Sequence, residues 1–171
     1  MSNYITSNFS NLIFSCSVPS QWHMEHRVPD HCVVFVRQGK LLISDKGRTE
    51  EIPAGSCVFL KKDCSVRLVK ASFAGKNYEG LNIRLPQNIL EDYFQRHLKN
   101  NEFPQDFTGL SNCFMRLNRT LCLQGLLSSI ILFVEEGQDP GQEMTELKVE
   151  ELILDLLQTN IRFFPTLFDF Y

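Results

Sequence analysis

CVVFVRQGKLLISDKGRTEEIPAGSCVFLKK, residues 32–62, reads as four short strands joined by three turns. The apolar runs Val33–Val36, Leu41–Ile43 and Cys57–Leu60 are separated by Gln38-Gly39, Asp45-Lys46-Gly47 and Pro53-Ala54-Gly55. Each separator has a turn mechanism: glycine reaches positive φ without a steric penalty, and proline two residues ahead of glycine suits a tight reversal. Short strands at near-regular spacing predict a small antiparallel β-barrel or double-sheet jelly roll. Alternation along these strands points Val34, Val36, Leu42 and Phe59 inward, with Trp22 at the mouth, as candidates to line a ligand pocket. Phe35, Phe59 and Phe73 would equally fill the interior, and a filled barrel would favour a protein partner.

Gly47, five residues, Pro53, one residue and Gly55 resemble the glycine-proline-glycine skeleton of the second cupin motif. With its strand-Gly39-strand lead-in and the Phe-Leu strand after Gly55, the stretch is similar to the N-terminal sensor domain of AraC-type bacterial transcription regulators. Where a metal-binding cupin would place histidine, three residues after that glycine, stands Val58, and an alkyl side chain is no metal ligand. The reading is a metal-free module without a cofactor.

At 171 residues, with 43% hydrophobic and 22% charged residues, the chain has the make-up of one well-buried globular unit. A net charge of −3 gives no general attraction to phosphate backbones, so any nucleic-acid contact belongs to another domain. The six cysteines form no CxxC pair and mostly sit among apolar neighbours, where thiols behave as small core side chains. No signal-peptide pattern opens the chain, and the longest apolar run, Leu126–Val134, is far short of a bilayer span. Together these readings predict a cytoplasmic protein with no membrane contact.

Residues 1–11, polar and rich in Ser and Asn, read as a flexible arm, and residues 12–85 as the cupin-like barrel, beginning with a strand at 12–18. Residues 20–30, bounded by Pro19 and Pro29, read as a loop, and further strands are expected over 64–70 and 77–85. Beyond Pro86 the period changes to helical: Ile89, Leu90, Tyr93, Phe94 and Leu98 mark one amphipathic helix. A short helix is expected around 111–116 and an apolar one over 120–135. After an exposed linker, the last runs over 146–160 with Thr145 as its N-cap. The fold class is therefore α+β, a barrel followed by a helical region over 86–162 with an antiparallel helix pair, and residues 163–171 read as a linker or tail.

On the last helix Val149, Leu152, Ile153, Leu156 and Leu157 fill one broad face. A narrower stripe, Leu147, Leu154 and Ile161, repeats every seven residues and is flanked by Glu150, Glu151 and Gln158. That is the pattern of a helix-helix seam, here for a homodimer, or of a helix buried on both sides within one monomer. The run Leu147-Lys148-Val149-Glu150-Glu151-Leu152-Ile153-Leu154 resembles the interdomain helix of the ExsA-like activators of type III secretion genes. That resemblance implies dimerisation and a sensor that meets a protein antiactivator, whereas AraC-type sensors more widely take a small-molecule effector. It also implies DNA binding only through a C-terminal helix-turn-helix domain, whose charge and pattern are absent from these residues. The expectation is the sensor half of a longer regulator.

His23, Glu25, His26 and His31 offer two-histidine-plus-carboxylate chemistry in principle. A cupin dioxygenase or isomerase would draw its ligands from separated strands, and Val58 breaks the set. Nor is there a glycine-flanked serine elbow. The enzyme reading, and that of a stand-alone small-molecule-binding cupin, are the alternatives to a regulatory module. Lys61-Lys62-Asp63 reads as a solvated hairpin tip, with an anionic partner as its other use.

Overall fold

In the computed structural model, which describes residues 4–102 and 107–170, the strands form two antiparallel sheets. The strands are β1 (Tyr4–Phe9), β2 (Ile13–Val18), β3 (Trp22–Arg27), β4 (His31–Gln38), β5 (Lys40–Asp45), β6 (Arg48–Pro53), β7 (Cys57–Leu60), β8 (Ser65–Ala71), β9 (Tyr78–Leu85) and β10 (Phe114–Leu117). One sheet has the order β1-β2-β9-β4-β7-β10 and the other β3-β8-β5-β6. The expected barrel is thus the double-sheet form, with the two sheets not closed into a cylinder.

Two hydrophobic clusters make a layered arrangement. Val34, Val36, Val58 and Leu60 of the larger sheet meet Leu41, Ile43, Ile52, Val66 and Leu68 of the smaller. The opposite face of the larger sheet, with Val33, Phe35, Cys57, Phe59, Leu81 and Ile83, is covered by the helices. All four residues of β7 are therefore buried, as in any strand covered on both faces. The helices are α1 (Gln87–Tyr93), which continues as a π-helical turn over Phe94–Leu98, then α2 (Leu121–Glu136), α3 (Gln142–Thr159) and α4 (Phe163–Leu167). Leu123, Leu126, Leu127 and Ile130 of α2 and Val149, Leu152, Ile153 and Leu156 of α3 supply the covering face.

Local chemistry accounts for the joints. Gly39 has φ of +74°, and a Cβ there would lie 2.5 Å from the Ala71 carbonyl oxygen, so only glycine allows β4 to turn into β5 at this approach. Gly55, at φ +89°, donates its N–H to the Val36 carbonyl of β4 at 2.7 Å, and the Ser56 N–H donating to the Pro53 carbonyl at 3.2 Å closes the turn that the Pro53-Ala54-Gly55 signal predicts. The Thr120 hydroxyl caps α2 by accepting from the Leu123 N–H at 3.0 Å, and it donates to buried Asp155 of α3 at 2.8 Å.

Several expectations are corrected. Within the expected arm, residues 4–9 form β1 on β2, because Thr6, Asn8 and Phe9 find partners in Ser15, Asn11 and the core. Residues 22–27 are a strand and not a loop: Trp22, Met24 and His26 are half-buried while His23, Glu25 and Arg27 are exposed. Residues 114–117 pair with β7 as β10 in place of the short helix, because the edge of β7 offers unpaired backbone groups. The last helix begins one turn earlier than Thr145, which is buried and donates its hydroxyl to the Gly141 carbonyl at 2.7 Å instead of capping. The expected tail contains α4, held by buried Phe163, Leu167 and Phe168. Residues 1–3 of the arm, Pro104 in the loop after α1, and Tyr171 lie outside the described residues.

Cys64 and Cys113 form a disulfide with Cα atoms 5.6 Å apart, so the reading of the cysteines as free core thiols does not hold for this pair. Cys16, Cys32, Cys57 and Cys122 are free thiols. No helix among the described residues is long and apolar enough to cross a membrane.

Candidate functional site

Between the two sheets lies a cavity of about 200 Å3, partly open to solvent. Its walls are built by alternation. Phe14, Cys32, Val34, Leu60, Asn82 and Arg84 face it from the larger sheet, and Met24, His26, Leu41, Leu68 and Lys70 from the smaller, with Pro29 and Asp30 on the connection between β3 and β4. The register explains the grouping. Lys70 stands between Trp22 and Leu41 across the smaller sheet, and Asn82 between Phe14 and Val34 across the larger.

Lys70 is the unusual member, a lysine on an inward face and only 4% exposed. Its Nζ lies 3.6 Å from Cys16 Sγ on the opposite sheet, 5.0 Å from the Trp22 ring centroid and 5.4 Å from that of Tyr78. Its contacts thus include a thiol and two π faces, and cation–π contact stabilises a desolvated ammonium. Burial and then the Lys70 charge lower the pKa of the His26 imidazole, leaving it neutral near pH 7. Burial pushes the Cys32 thiol up to about 12, so it stays protonated. At the Pro29–Asp30 side Arg84 pairs with Asp30 at 2.5 Å and donates to the Asn11 carbonyl at 2.7 Å.

Of the residues expected to line a pocket, Val34 does so. Val36 is fully buried in the inter-sheet core beside the cavity, and Trp22 packs at the Lys70 end without forming a wall. Leu42 and Phe59 are corrected. Leu41 and Ile43, not Leu42, are the fully buried residues of β5. Phe59 points into the helical side, its ring 5.5 Å from His31 and 5.0 Å from Phe163. Lys70, Leu68 and Arg84 were missed, although the alternation in β8 (Val66, Leu68, Lys70) carried the signal for the first two.

His23 is exposed, His26 faces the cavity and His31 is buried with Nδ1 accepting the Lys62 N–H at 3.0 Å. Among the described residues no group of three or more His, Cys, Asp and Glu side chains converges to hold a metal ion. The Lys61–Asp63 tip is engaged: Lys61 Nζ donates to the Leu110 carbonyl at 2.9 Å, Lys62 pairs with Asp169 at 3.0 Å and Asp63 faces Arg27.

On α3, Leu147 and Leu154 are 57% and 46% exposed and border a groove completed by Tyr93, His97 and Leu98. Glu150 lines the same groove and pairs with Arg96, Glu151 also lines it, and Gln158 is exposed. Ile161, 47% exposed, is corrected in one respect. The helix ends at Thr159, where Asn160 turns to extended backbone, so Ile161 sits in the following turn and not on the helical stripe.

The family model of the ExsA N-terminal regulatory domain matches residues 31–163. Among curated proteins no sequence matches at a significant level. Solved structures similar to the chain include ToxT of Vibrio cholerae in three states. An apo variant has a TM-score of 0.61 at 15% identity, covering 85% of this chain and 55% of that one. The wild type bound to an unsaturated fatty acid has a TM-score of 0.60 at 13% identity, over 86% and 53%. The form bound to (E)-4-(8-methylnaphthalen-1-yl)but-3-enoic acid has a TM-score of 0.56 at 13% identity, over 86% and 57%. At that identity the likeness is one of fold, and this chain spans about half the length of the ToxT chains it matches.

Proposed function

The chain belongs to the ExsA N-terminal regulatory domain family, a regulatory domain of AraC-type transcription regulators, and on that premise we propose that it self-associates through α3 and senses a small-molecule effector in its inter-sheet cavity. The observation that carries the reading is the pair Leu147 and Leu154, two large apolar side chains about half exposed on one face of a helix whose other face is fully committed to the core. Two leucines seven residues apart, beside Tyr93 and Leu98 and rimmed by Glu150 and Glu151, suit a second copy of the same helix. A protein antiactivator, which the family resemblance implies, would compete for this face.

In this reading the module works in the cytoplasm and has no catalytic step. It biases a monomer–dimer or open–closed equilibrium of an attached helix-turn-helix domain, which alone meets DNA. An effector achieves this only if it binds the two states with different affinity. The ToxT structures with carboxylic acids bound support a small-molecule effector for the shared fold.

The test is a fusion of this chain to a DNA-binding domain that activates a reporter only as a dimer. Activity from the parent fusion, lost on Leu147→Glu with Leu154→Glu at equal protein level, is the expected result. A silent parent fusion, or an unaffected double variant, overturns the assignment of self-association to α3.

A further inference from the structure

Cys64 and Cys113 belong to segments with unequal support. The β7–β8 turn that carries Cys64 is fixed from its other side by two backbone bonds. Asp63 donates its N–H to the Val28 carbonyl at 2.8 Å, and Val28 donates to the Cys64 carbonyl at 2.9 Å. Residues 107–113, which carry Cys113, have no helix or strand of their own. A short series of hydrogen bonds ties them down together with the bridge. Lys61 donates its N–H to the Cys113 carbonyl at 2.8 Å and its Nζ to the Leu110 carbonyl at 2.9 Å. Leu110 in turn donates its N–H to the Thr166 hydroxyl of α4 at 2.8 Å, and Lys62 pairs with Asp169, just after α4, at 3.0 Å. The turn, the 107–113 segment and α4 thus form one ring of contacts, and the bridge is its covalent member. A loop without regular structure opens at low cost, and a tether at its end limits that opening.

The six cysteines differ in their access to redox chemistry. Burial pushes the Cys32 and Cys57 thiols up to about 12, which keeps them protonated and unreactive, and Cys16 is buried as well. Cys122 is exposed and is a free thiol. Cys64 and Cys113 are only partly buried and stand at bridging distance, with Cα atoms 5.6 Å apart. In the cytoplasm glutathione keeps thiols reduced, and a bridge that forms there is usually of the transient, redox-sensing kind.

We infer that Cys64 and Cys113 are a reversible thiol–disulfide switch, closed by oxidation to lock residues 107–113 and α4 onto the larger sheet and opened by a small thiol to loosen them. This assignment rests on the cytoplasmic setting of the reading above and not on self-association through α3. The thiolate of one reduced glutathione attacks a bridge sulfur, forming a mixed disulfide and releasing the other cysteine, which takes up a proton. A second glutathione thiolate then displaces the remaining protein sulfur. In total two glutathiones are oxidised to one glutathione disulfide, and the bridge gains two electrons and two protons as two thiols. Oxidised glutathione runs the same steps backward. Because α4 begins directly after the turn that carries Ile161, the switch acts on the element next to α3.

The test equilibrates the purified chain in glutathione buffers running from mostly oxidised to mostly reduced. Alkylation with peptide mapping separates the Cys64–Cys113 bridge from any disulfide made through exposed Cys122. Hydrogen exchange is read in the same samples, with the Leu110 amide as local reporter because its acceptor is on α4. The pair is expected to pass from bridged to reduced within this range while the chain stays folded. On reduction, exchange in residues 107–113 and α4 should rise roughly tenfold or more, while β4 and β9 at the centre of the larger sheet keep theirs. Cys64→Ser with Cys113→Ser should show the fast exchange in every buffer. If that variant does not fold, the two redox states of the parent make the comparison by themselves. A pair that stays bridged in the most reduced buffer, or that never bridges, overturns the switch. Reduction that unfolds the whole chain makes the bridge a structural staple and overturns it too. Reduction that leaves the exchange of residues 107–113 and α4 unchanged overturns the lock.

Discussion

Lys70 and Trp22 are cross-strand partners on adjacent strands, and the Lys70 ammonium lies over the Trp22 indole at 5.0 Å from its centroid. Lys70→Met keeps the apolar stem against Trp22 and removes the ammonium, and with it cation–π contacts worth up to about 2 kcal/mol where they are desolvated. The variant is therefore expected to unfold in urea with a free energy lower than the parent's by about 1–2 kcal/mol. An unchanged or higher free energy would show that the ammonium contributes nothing to the fold.

His31 gives a pH signature. Burial first, then the Lys62 charge, lowers its pKa from 6.5 to about 4. The folded state thus binds its proton less readily than the unfolded one. The stabilisation is present above pH 6.5 and is lost as pH falls from there toward 4, amounting to about 3 kcal/mol at 1.36 kcal/mol per pKa unit. Urea unfolding between pH 7 and 4 should show this loss beyond that of His31→Asn, whose amide oxygen can accept the Lys62 N–H. Parallel profiles for the two proteins would remove His31 as the cause.

The Cys64–Cys113 bridge closes a loop with a sequence separation of 49 residues and ties the β7–β8 turn to the segment before β10. Its removal by Cys64→Ser with Cys113→Ser is expected to lower the unfolding free energy by about 2–4 kcal/mol. The parent should fall by the same amount on addition of dithiothreitol, whereas the double variant should not respond. A parent insensitive to the reductant would show that the pair is not bridged in solution.

Phe59 is fully buried between His31 and Phe163 on the helical side of the larger sheet. Phe59→Ala should cost about 3–5 kcal/mol. Phe59→Leu, which keeps most of the volume, should recover most of that loss. A cost for Phe59→Ala below about 1 kcal/mol would show that the ring is not packed between His31 and Phe163 in solution.

Much of this arrangement was legible from residues 32–62, because turn chemistry at Gly39, Gly47 and Gly55 is local and each glycine takes a positive φ. Facing was less legible. Cys57–Leu60 is apolar throughout, so alternation cannot say which of Val58 and Phe59 meets the other sheet and which meets the helices. The same ambiguity in Lys40–Asp45 exchanged Leu41 for Leu42. β3 escaped because its inward set, Trp22, Met24 and His26, is amphipathic and lies between two prolines, which resembles a loop. β10 and α4 depend on partners distant in sequence. Leu60 meets the edge strand β10, and the Thr166 hydroxyl that accepts the Leu110 N–H at 2.8 Å holds α4, contacts that no local pattern encodes. On α3 the stripe of Leu147 and Leu154 was readable from spacing alone, while the chain's departure from the helix before Ile161 was not.

Self-association through α3 is the claim on which the regulatory reading turns, and sedimentation equilibrium tests it most directly. The parent chain, 19.8 kDa, is expected at twice that mass over the micromolar range, and the Leu147→Glu, Leu154→Glu variant at the single-chain mass with an unchanged far-ultraviolet circular dichroism spectrum. A parent that sediments as a monomer throughout, or a folded variant that remains dimeric, would contradict the account.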